Sequence, residues 1–213
     1  MKRLVVLAIA FMLVQPMMTH AQREVVDELA KKDIVLQAEE RNGMYEDFHL
    51  QVNGHVYSFP DWQAVKTLSK QPVLKEVDLN GDGTKELVVL LPQKVAKGVF
   101  VNEAKVVTVT KPVSELLVYD ARTILLKEVK YYMDDSAFHV QLNDKDVLKL
   151  KGNSEAPILS TDSFVSYDVN DNGLMATLYL EDVAGKKLGS FHVEYKKMNK
   201  QAVEPTELVF LQK

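Results

Sequence analysis

The chain repeats a pattern of residues about 90 positions apart, and this repetition strongly constrains its fold. The clearest match pairs FHLQVNG (residues 48–54) with FHVQLND (residues 138–144). Four further matches keep the same order: IVL (34–36) with ILL (124–126), DLNGDG (78–83) with DVNDNG (168–173), GVFVNEAK (98–105) with GSFHVEYK (189–196), and SEL (114–116) with TEL (206–208). The alternative, convergence of ordinary valine-rich hairpins, does not predict this shared order. The matches predict an internal duplication, with units at residues 33–120 and 123–212.

Each unit is predicted to consist mostly of β-strands. Apolar and polar residues alternate on both sides of Asn53-Gly54. Asn-Gly in this setting is a strong hairpin signal, because both turn positions adopt positive φ. Asn143-Asp144 is predicted to turn the matching hairpin, and the apolar run LVVLL (residues 87–91) predicts a strand buried on both faces. Further strands are predicted at residues 99–109, 116–119, 174–180, 188–195 and 208–211.

Helix signals are few. Val25, Val26, Leu29 and Ala30 fall on one side of a helical projection, which predicts an N-terminal helical segment over residues 22–32. Pro60 followed by Asp61 as an N-cap predicts a second short helix over residues 61–68. The predicted fold class is therefore mainly β, a β-rich α+β chain. It consists of two tandem units of hairpins and short strands with one or two short helices.

The N-terminus has the features of an export signal. Lys2 and Arg3 precede an apolar run at residues 4–14, and a small residue, Ala21, ends the segment. Eleven apolar residues are too few to cross about 30 Å of hydrocarbon. A secretory signal peptide at residues 1–21 is therefore predicted, with an uncleaved anchor as the alternative. The expected location is extracellular or periplasmic, and the absence of cysteine excludes lipid attachment to a processed N-terminus.

The composition of residues 22–213, the part predicted to be exported, argues against several classes of partner and chemistry. Residues 22–213 carry 24 basic and 30 acidic residues, a net charge of −6. This balance argues against nucleic acid and against an anionic membrane as partners, because both select basic surfaces. The absence of cysteine also excludes disulfides and cysteine nucleophiles. At this length the chain can bury one sizeable core or two small ones.

The segment DLNGDGTKE (residues 78–86) has the pattern of a calcium loop. Oxygen-bearing side chains alternate, and two intervening glycines allow the positive φ that a tight curl requires. Calcium takes six to eight oxygen ligands at about 2.3–2.6 Å. The alternative is a metal-free turn, held by hydrogen bonds from the backbone to its own side chains. The predicted calcium ligands are Asp78, Asn80, Asp82, Thr84 and Glu86.

The run DLNGDGTKELVV (residues 78–89) resembles the nine-residue calcium loops of FG-GAP and VCBS-type repeats. Such loops occur in integrin-like propeller blades and in many exported bacterial proteins. The resemblance implies that the carboxylates of Asp78 and Asp82 hold the ion with oxygens at loop positions three, seven and nine. Glu86 occupies position nine, where Asp is usual, and Val89 at position twelve excludes an EF-hand. The layout also resembles uncharacterised exported proteins of spore-forming Gram-positive bacteria, which implies a compartment but no activity.

The second copy of the loop is predicted to be a hairpin turn without metal. Asp168 and Asn170 keep the curl, but Asn172 removes one negative charge. Ala176 also stands where a closing acidic ligand would be needed. One carboxylate is a poor calcium site, so this copy is predicted to be degenerate.

No catalytic motif is present. Three histidines, His49, His139 and His192, each follow a phenylalanine. Strand alternation predicts that the phenylalanine points inward and the histidine lies on a solvated face. The chain contains no His-x-x-x-His zinc spacing, no Gly-x-Ser-x-Gly elbow and no glycine-rich phosphate loop.

The sequence therefore favours an exported, non-enzymatic β module stabilised by calcium. Its expected partner is a cell-envelope polymer or another exported protein. The alternative is a secreted hydrolase or hydrolase inhibitor, with a carboxylate pair and Trp62 in a cleft edged by residues 93–98 or 134–137. A tryptophan can stack on a sugar ring, but it can equally serve as a core anchor.

Overall fold

The computed structural model describes residues 23–96, 99–110, 112–152, 157–159, 165–170 and 173–213. The predicted signal peptide lies outside these residues. Within them the chain forms three β-sheets and one α-helix, which confirms the predicted mainly β class. None of the described helices is long and apolar enough to cross a membrane.

The first sheet contains five antiparallel strands from the N-terminal part of the chain. They are β1 (Arg23–Leu29), β2 (Ile34–Arg41), β3 (Met44–Val52), β4 (His55–Phe59) and β5 (Ala64–Val65). The order across the sheet is β1-β2-β3-β4, and β5 also pairs with β3. Asn53 and Gly54 join β3 to β4 with φ of 49° and 78°, which confirms the predicted hairpin.

Two of these strands replace predicted helices. The segment predicted to be helical over residues 22–32 forms β1, followed by a 3-10 turn at Ala30–Lys32. β1 pairs with β2 from Arg23 to Leu29, so a partner strand satisfies its backbone and overrides the local helical spacing. The helix predicted over residues 61–68 is also wrong, because this segment contains only the short strand β5.

A four-stranded antiparallel meander follows. It consists of β6 (Val73–Val77), β7 (Glu86–Ala96), β8 (Val99–Thr108) and β9 (Ser114–Val118). The helix α1 (Ala121–Glu128) comes next, and Asp120 caps it by accepting hydrogen bonds from the backbone N–H groups of Arg122 and Thr123. A three-stranded antiparallel sheet then contains β10 (Val129–Met133), β11 (Ala137–Leu142) and β12 (Lys145–Lys151). Asn143 and Asp144 turn its second hairpin with positive φ, as predicted.

The C-terminal part forms a second meander, which joins the first. Its strands are β13 (Ile158–Leu159), β14 (Val165–Asn170), β15 (Gly173–Glu181), β16 (Lys187–Met198) and β17 (Ala202–Gln212). β17 pairs in parallel with β9, so the two meanders merge into one nine-stranded sheet. Its order is β13-β15-β16-β17-β9-β8-β7-β6, and β14 also pairs with β15.

Strand β7 separates two hydrophobic cores. Leu87, Val89 and Leu91 contribute to an N-terminal core with the first sheet. Val88 and Leu90, on the opposite face, contribute to a shared core that contains residues of both predicted units. All five residues are buried, which confirms a strand covered on both faces. Burial of each such side chain contributes about 1.5–3 kcal/mol. The other large residues of the shared core include Leu125, Phe138, Phe191 and Tyr195.

The order of strands occurs twice along the chain. A three-stranded meander, a short strand and a four-stranded meander appear as β2 to β9 and again as β10 to β17. The match between residues 34–36 and 124–126 is wrong, because the first segment begins β2 and the second lies in α1. The position that corresponds to Ile34, opposite Val52, is filled by Val129, opposite Leu142. The duplication itself stays a prediction.

Asn102 connects the two halves of the chain inside the protein. Its buried side-chain amide donates to the backbone oxygen of Tyr167 at 2.9 Å and accepts from the Tyr167 N–H at 2.6 Å. This side chain therefore links β8 to β14 as a neighbouring strand would.

We predict that Asn102→Ala lowers the free energy of unfolding by about 2–4 kcal/mol, because it leaves two backbone groups of Tyr167 unsatisfied. Urea denaturation of the variant measures this loss. Gln51→Ala is the control, because within the described residues the Gln51 amide bonds to the exposed side chain of Asp33 alone. Equal effects of the two substitutions would contradict the prediction.

Candidate metal site

The predicted calcium loop connects β6 to β7. Val77 and Glu86 pair across the base of the connection, and Leu79 is buried in the shared core. The loop is therefore held at both ends and anchored by one apolar side chain. Glu86 is the first residue of β7 and only 2% exposed.

Asp78 organises the loop through backbone hydrogen bonds. Its carboxylate accepts from the N–H groups of Gly81 at 2.7 Å, Asp82 at 3.2 Å and Gly83 at 2.8 Å. These bonds require the chain to curl around the carboxylate. Gly81 and Gly83 permit the curl with φ of 74° and 86°, a region that side-chain-bearing residues rarely adopt.

Asn80, Asp82 and Thr84 continue the same network. The Asn80 amide donates to Asp82 Oδ2 at 2.9 Å, and the Thr84 N–H donates to Asp82 Oδ1 at 2.7 Å. These two donors hold the pKa of Asp82 below its ordinary value. The carboxylate is therefore ionised at neutral pH. The structure thus brings four of the five predicted ligands, Asp78 to Thr84, into one hydrogen-bonded curl.

The fifth predicted ligand, Glu86, is the buried first residue of β7. Burial raises the pKa of its carboxyl group, and the negative charges of Asp82 and Asp78 raise it further. The Leu79 N–H donates to its Oε2 at 3.1 Å. Within the described part of the chain, no lysine or arginine forms an ion pair with these three acidic residues. The negative charge of the loop therefore has no cationic partner there.

The carboxylates are not gathered around one point. Across the described residues, no three acidic or histidine side chains are arranged to hold a metal ion. The loop has the predicted curl, but its own hydrogen bonds close it, as in the metal-free alternative. An ionised carboxylate has about four lone-pair sites, so oxygens that accept N–H bonds can still coordinate. Calcium binding would require the side chains to rotate within the curl.

The second loop is much shorter. Asn170 pairs directly with Gly173, so β14 and β15 are joined by a two-residue connection. Asp168 lies within β14, where its carboxylate is 3.7 Å from the Lys75 ammonium group. Asn172 lies outside the described residues. Asp168 and Asn170 therefore belong to the antiparallel pair of β14 and β15, as the predicted hairpin requires.

The three Phe-His pairs have different environments. Phe138 and Phe191 are buried in the shared core and Phe48 in the N-terminal core, so the phenylalanines point inward as predicted. The prediction that all three histidines are solvated is wrong for His139, which is only 4% exposed. His192 is half-buried, and burial lowers its pKa.

His139 lies between two carboxylates. Its Nε2 is 2.9 Å from Asp134 Oδ2, and its Nδ1 is 2.6 Å from Asp146 Oδ2. Strand alternation placed His139 on the face opposite Phe138 correctly. It could not show that the side chains of the 134–137 turn and of β12 cover that face.

Trp62 is a core anchor. It is 1% exposed, and its ring stacks on Phe59 at a centroid distance of 4.1 Å. Its Nε1 donates to Glu115 Oε2 at 3.0 Å. Trp62 therefore does not present its ring to the surface, where a sugar could stack on it. Gln93 to Ala96, at the proposed edge of that cleft, belong to β7, and residues 97–98 lie outside the described residues.

Comparisons of the chain with protein-family models, with curated proteins and with solved structures found no match. The resemblance of residues 78–89 to FG-GAP and VCBS-type loops stays a prediction.

We predict that Glu86→Gln stabilises the metal-free protein. The neutral amide keeps an acceptor for the Leu79 N–H but removes a buried negative charge close to two others. The free energy of unfolding in the presence of chelator should rise by on the order of 1 kcal/mol. Glu207→Gln, at an exposed position of β17, is the control and should change little. A loss of stability in Glu86→Gln would contradict the argument.

Proposed function

We propose that the chain is an exported, non-enzymatic β module whose loop between β6 and β7 binds one calcium ion. The observation that carries the proposal is the negative charge of Asp78, Asp82 and the buried Glu86, with which no lysine or arginine of the described residues forms an ion pair. A buried carboxylate without a cationic partner is costly, and a divalent cation removes that cost. The alternating oxygen donors and the two glycines support the same ion.

Calcium fits this loop better than magnesium or a transition metal. The loop offers oxygen donors only, and calcium accepts variable geometry with six to eight oxygens. Magnesium demands near-ideal octahedral geometry at about 2.0–2.1 Å, which a loop closed by its own hydrogen bonds does not supply. Zinc prefers nitrogen and sulfur ligands, which residues 78–86 lack.

The expected role of the ion is structural. It would join the end of β6 to the start of β7, the strand from which both cores are built. Extracellular modules bind calcium with dissociation constants of about 10⁻⁴–10⁻³ M. At millimolar calcium this adds about 0.4–1.4 kcal/mol to the free energy of unfolding. The bound ion would stabilise the connection between β6 and β7 by this modest amount.

A binding role is favoured over an enzymatic one. Trp62 is buried and His139 is held between carboxylates, so neither is free to act on a substrate. The expected partner is a cell-envelope polymer or another exported protein. The net charge of −6 of residues 22–213 favours partners other than nucleic acid and anionic membranes.

Calorimetric titration of residues 22–213 with calcium chloride tests the metal site. We predict one site with a dissociation constant of about 10⁻⁴–10⁻³ M, and a melting temperature that is higher in calcium than in chelator. Asp82→Asn should abolish both effects, because it keeps the acceptor for the Thr84 N–H but removes the charge.

Asp182→Asn is the matched control. Asp182 makes the same kind of turn, accepting from the N–H groups of Ala184 and Lys186, outside the loop. It should titrate like the unmodified chain. The absence of calcium heat, or an unchanged titration in Asp82→Asn, would show that the loop is a metal-free turn.

Export has its own test. When the full chain is expressed in a Gram-positive host, the protein in the medium should begin at Gln22, because cleavage is predicted after Ala21. Intact mass measurement of the secreted protein identifies this residue. A product that keeps residues 1–21, or that stays with the cells, would contradict the predicted signal peptide.

A further inference from the structure

A cluster of ionisable side chains lies on the outer face of the three-stranded sheet, far in sequence from the calcium loop. His139 occupies the middle of β11, Asp134 follows β10 in the turn, and Asp146 belongs to β12. The opposite face of β11 packs into the shared core through Phe138, Val140 and Leu142. The cluster therefore joins all parts of this small sheet on the side away from its core.

The two carboxylates beside the ring favour the protonated state of His139. Each ring nitrogen faces a carboxylate oxygen, Nε2 at 2.9 Å from Asp134 and Nδ1 at 2.6 Å from Asp146. An ionised carboxylate only accepts hydrogen bonds, so bonding to both aspartates needs a donor on each ring nitrogen. Only the imidazolium ion has two N–H donors. The cluster is complete when His139 is positively charged and both aspartates are ionised.

Other groups hold the two carboxylates in place. Asp134 accepts from the backbone N–H groups of Ser136 and Ala137, both at 2.8 Å. Asp146 accepts from the Gln141 amide at 2.9 Å. These donors, together with His139, hold the pKa values of both aspartates below their ordinary range.

Tyr132 and Lys149 are the remaining ionisable groups that face His139. Tyr132, on β10, stacks on the imidazole ring at a centroid distance of 4.4 Å and an angle of 12°. Its hydroxyl group lies 3.1 Å from His139 Nδ1 and donates to Asp146 Oδ1 at 3.3 Å. Lys149, on β12, lies with its ammonium group 3.9 Å from Asp134 Oδ2. An aromatic face beside the imidazolium adds a cation–π attraction, whereas the lysine opposes the positive charge.

We infer that Asp134, His139 and Asp146 form a pH-dependent clamp that fixes the outer face of the three-stranded sheet. Strand β10 has few buried side chains to hold it. It lies at the edge of its sheet, and Val129 is its only buried residue. Met133 is 61% exposed, so hydrophobic packing contributes little to holding the end of this strand. The clamp holds this end of β10 through Tyr132, which stacks on His139 and bonds to Asp146.

The clamp operates within a window of pH. The carboxylates raise the pKa of His139, and Asp146 has the largest effect. The contribution of His139 to the free energy of unfolding is therefore complete below its unfolded pKa of about 6.5. It is lost as the pH rises through the folded pKa. The aspartate contributions are present above the unfolded pKa of about 3.9 and are lost as the pH falls through their lowered folded values. All three contributions are therefore complete between about pH 4 and pH 6.5.

The inference is independent of calcium and of export, and its first test needs no variant. Carbon-detected or carbon-edited NMR of the imidazole groups follows each histidine of residues 22–213 through a pH titration. His139 should titrate with a midpoint above about 6.5, and His192 below it. A His139 midpoint at or below about 6.5 would overturn the clamp.

The second test compares two variants in matched sequence contexts. We expect His139→Gln to lower the melting temperature by a few degrees between about pH 4 and pH 6.5, and by less on either side. His192→Gln should show no such window, because among the described residues its ring nitrogens contact the uncharged Ser190, Thr177 and Met175 and no carboxylate. If His139→Gln lowers the melting temperature equally at every pH, the loss comes from ordinary packing and the inference is overturned.

A third variant covers the case in which His139→Gln does not fold. Asp146→Asn keeps the acceptor for the Gln141 amide but removes the nearer negative charge. The clamp predicts that the NMR midpoint of His139 falls in this variant. An unchanged midpoint would show that Asp146 does not hold the imidazolium ion.

Discussion

Burial of β7 on both faces is the constraint on which the rest of this structure depends. A strand with five consecutive apolar residues must be covered twice. The first sheet covers Leu87, Val89 and Leu91, and the C-terminal half of the chain covers Val88 and Leu90. The shared core therefore contains residues from both predicted units, and neither half can bury β7 without the other. The parallel pairing of β9 with β17 and the bonds of Asn102 to Tyr167 reinforce this connection.

The same alternation explains why a carboxylate is buried at the start of β7. Glu86 has the parity of Val88 and Leu90, so its side chain points toward the shared core. Glu86 and His139 show two ways to accommodate a buried ionisable group. Two aspartates face the His139 ring, whereas Glu86 accepts from the Leu79 N–H and, within the described residues, forms no ion pair with a lysine or arginine. This contrast is the physical basis of the calcium proposal.

Local signals predicted much of the fold. The turns at Asn53-Gly54 and Asn143-Asp144 and the doubly buried strand β7 depend on the chemistry of neighbouring residues, and all three are present. The helices predicted over residues 22–32 and 61–68 are both wrong for one reason. β1 and β5 form because β2 and β3 offer them partner edges, and such pairing is not visible in helical spacing. Asp120, as an N-cap, is the sequence signal that could have predicted α1. The repeat pattern instead pairs residues 124–126 of this helix with residues 34–36 of β2.

The sequence by itself determined the turns, the faces of the strands and the acidic curl, because each of these depends on backbone preferences and residue spacing over a few positions. The tertiary structure alone decided what covers each face. Phe48-His49, Phe138-His139 and Phe191-His192 are nearly identical in sequence, yet only His139 lies between two carboxylates. Alternation assigns a side chain to one side of a sheet. Its solvation and charge depend on neighbouring elements, which residue spacing does not reveal.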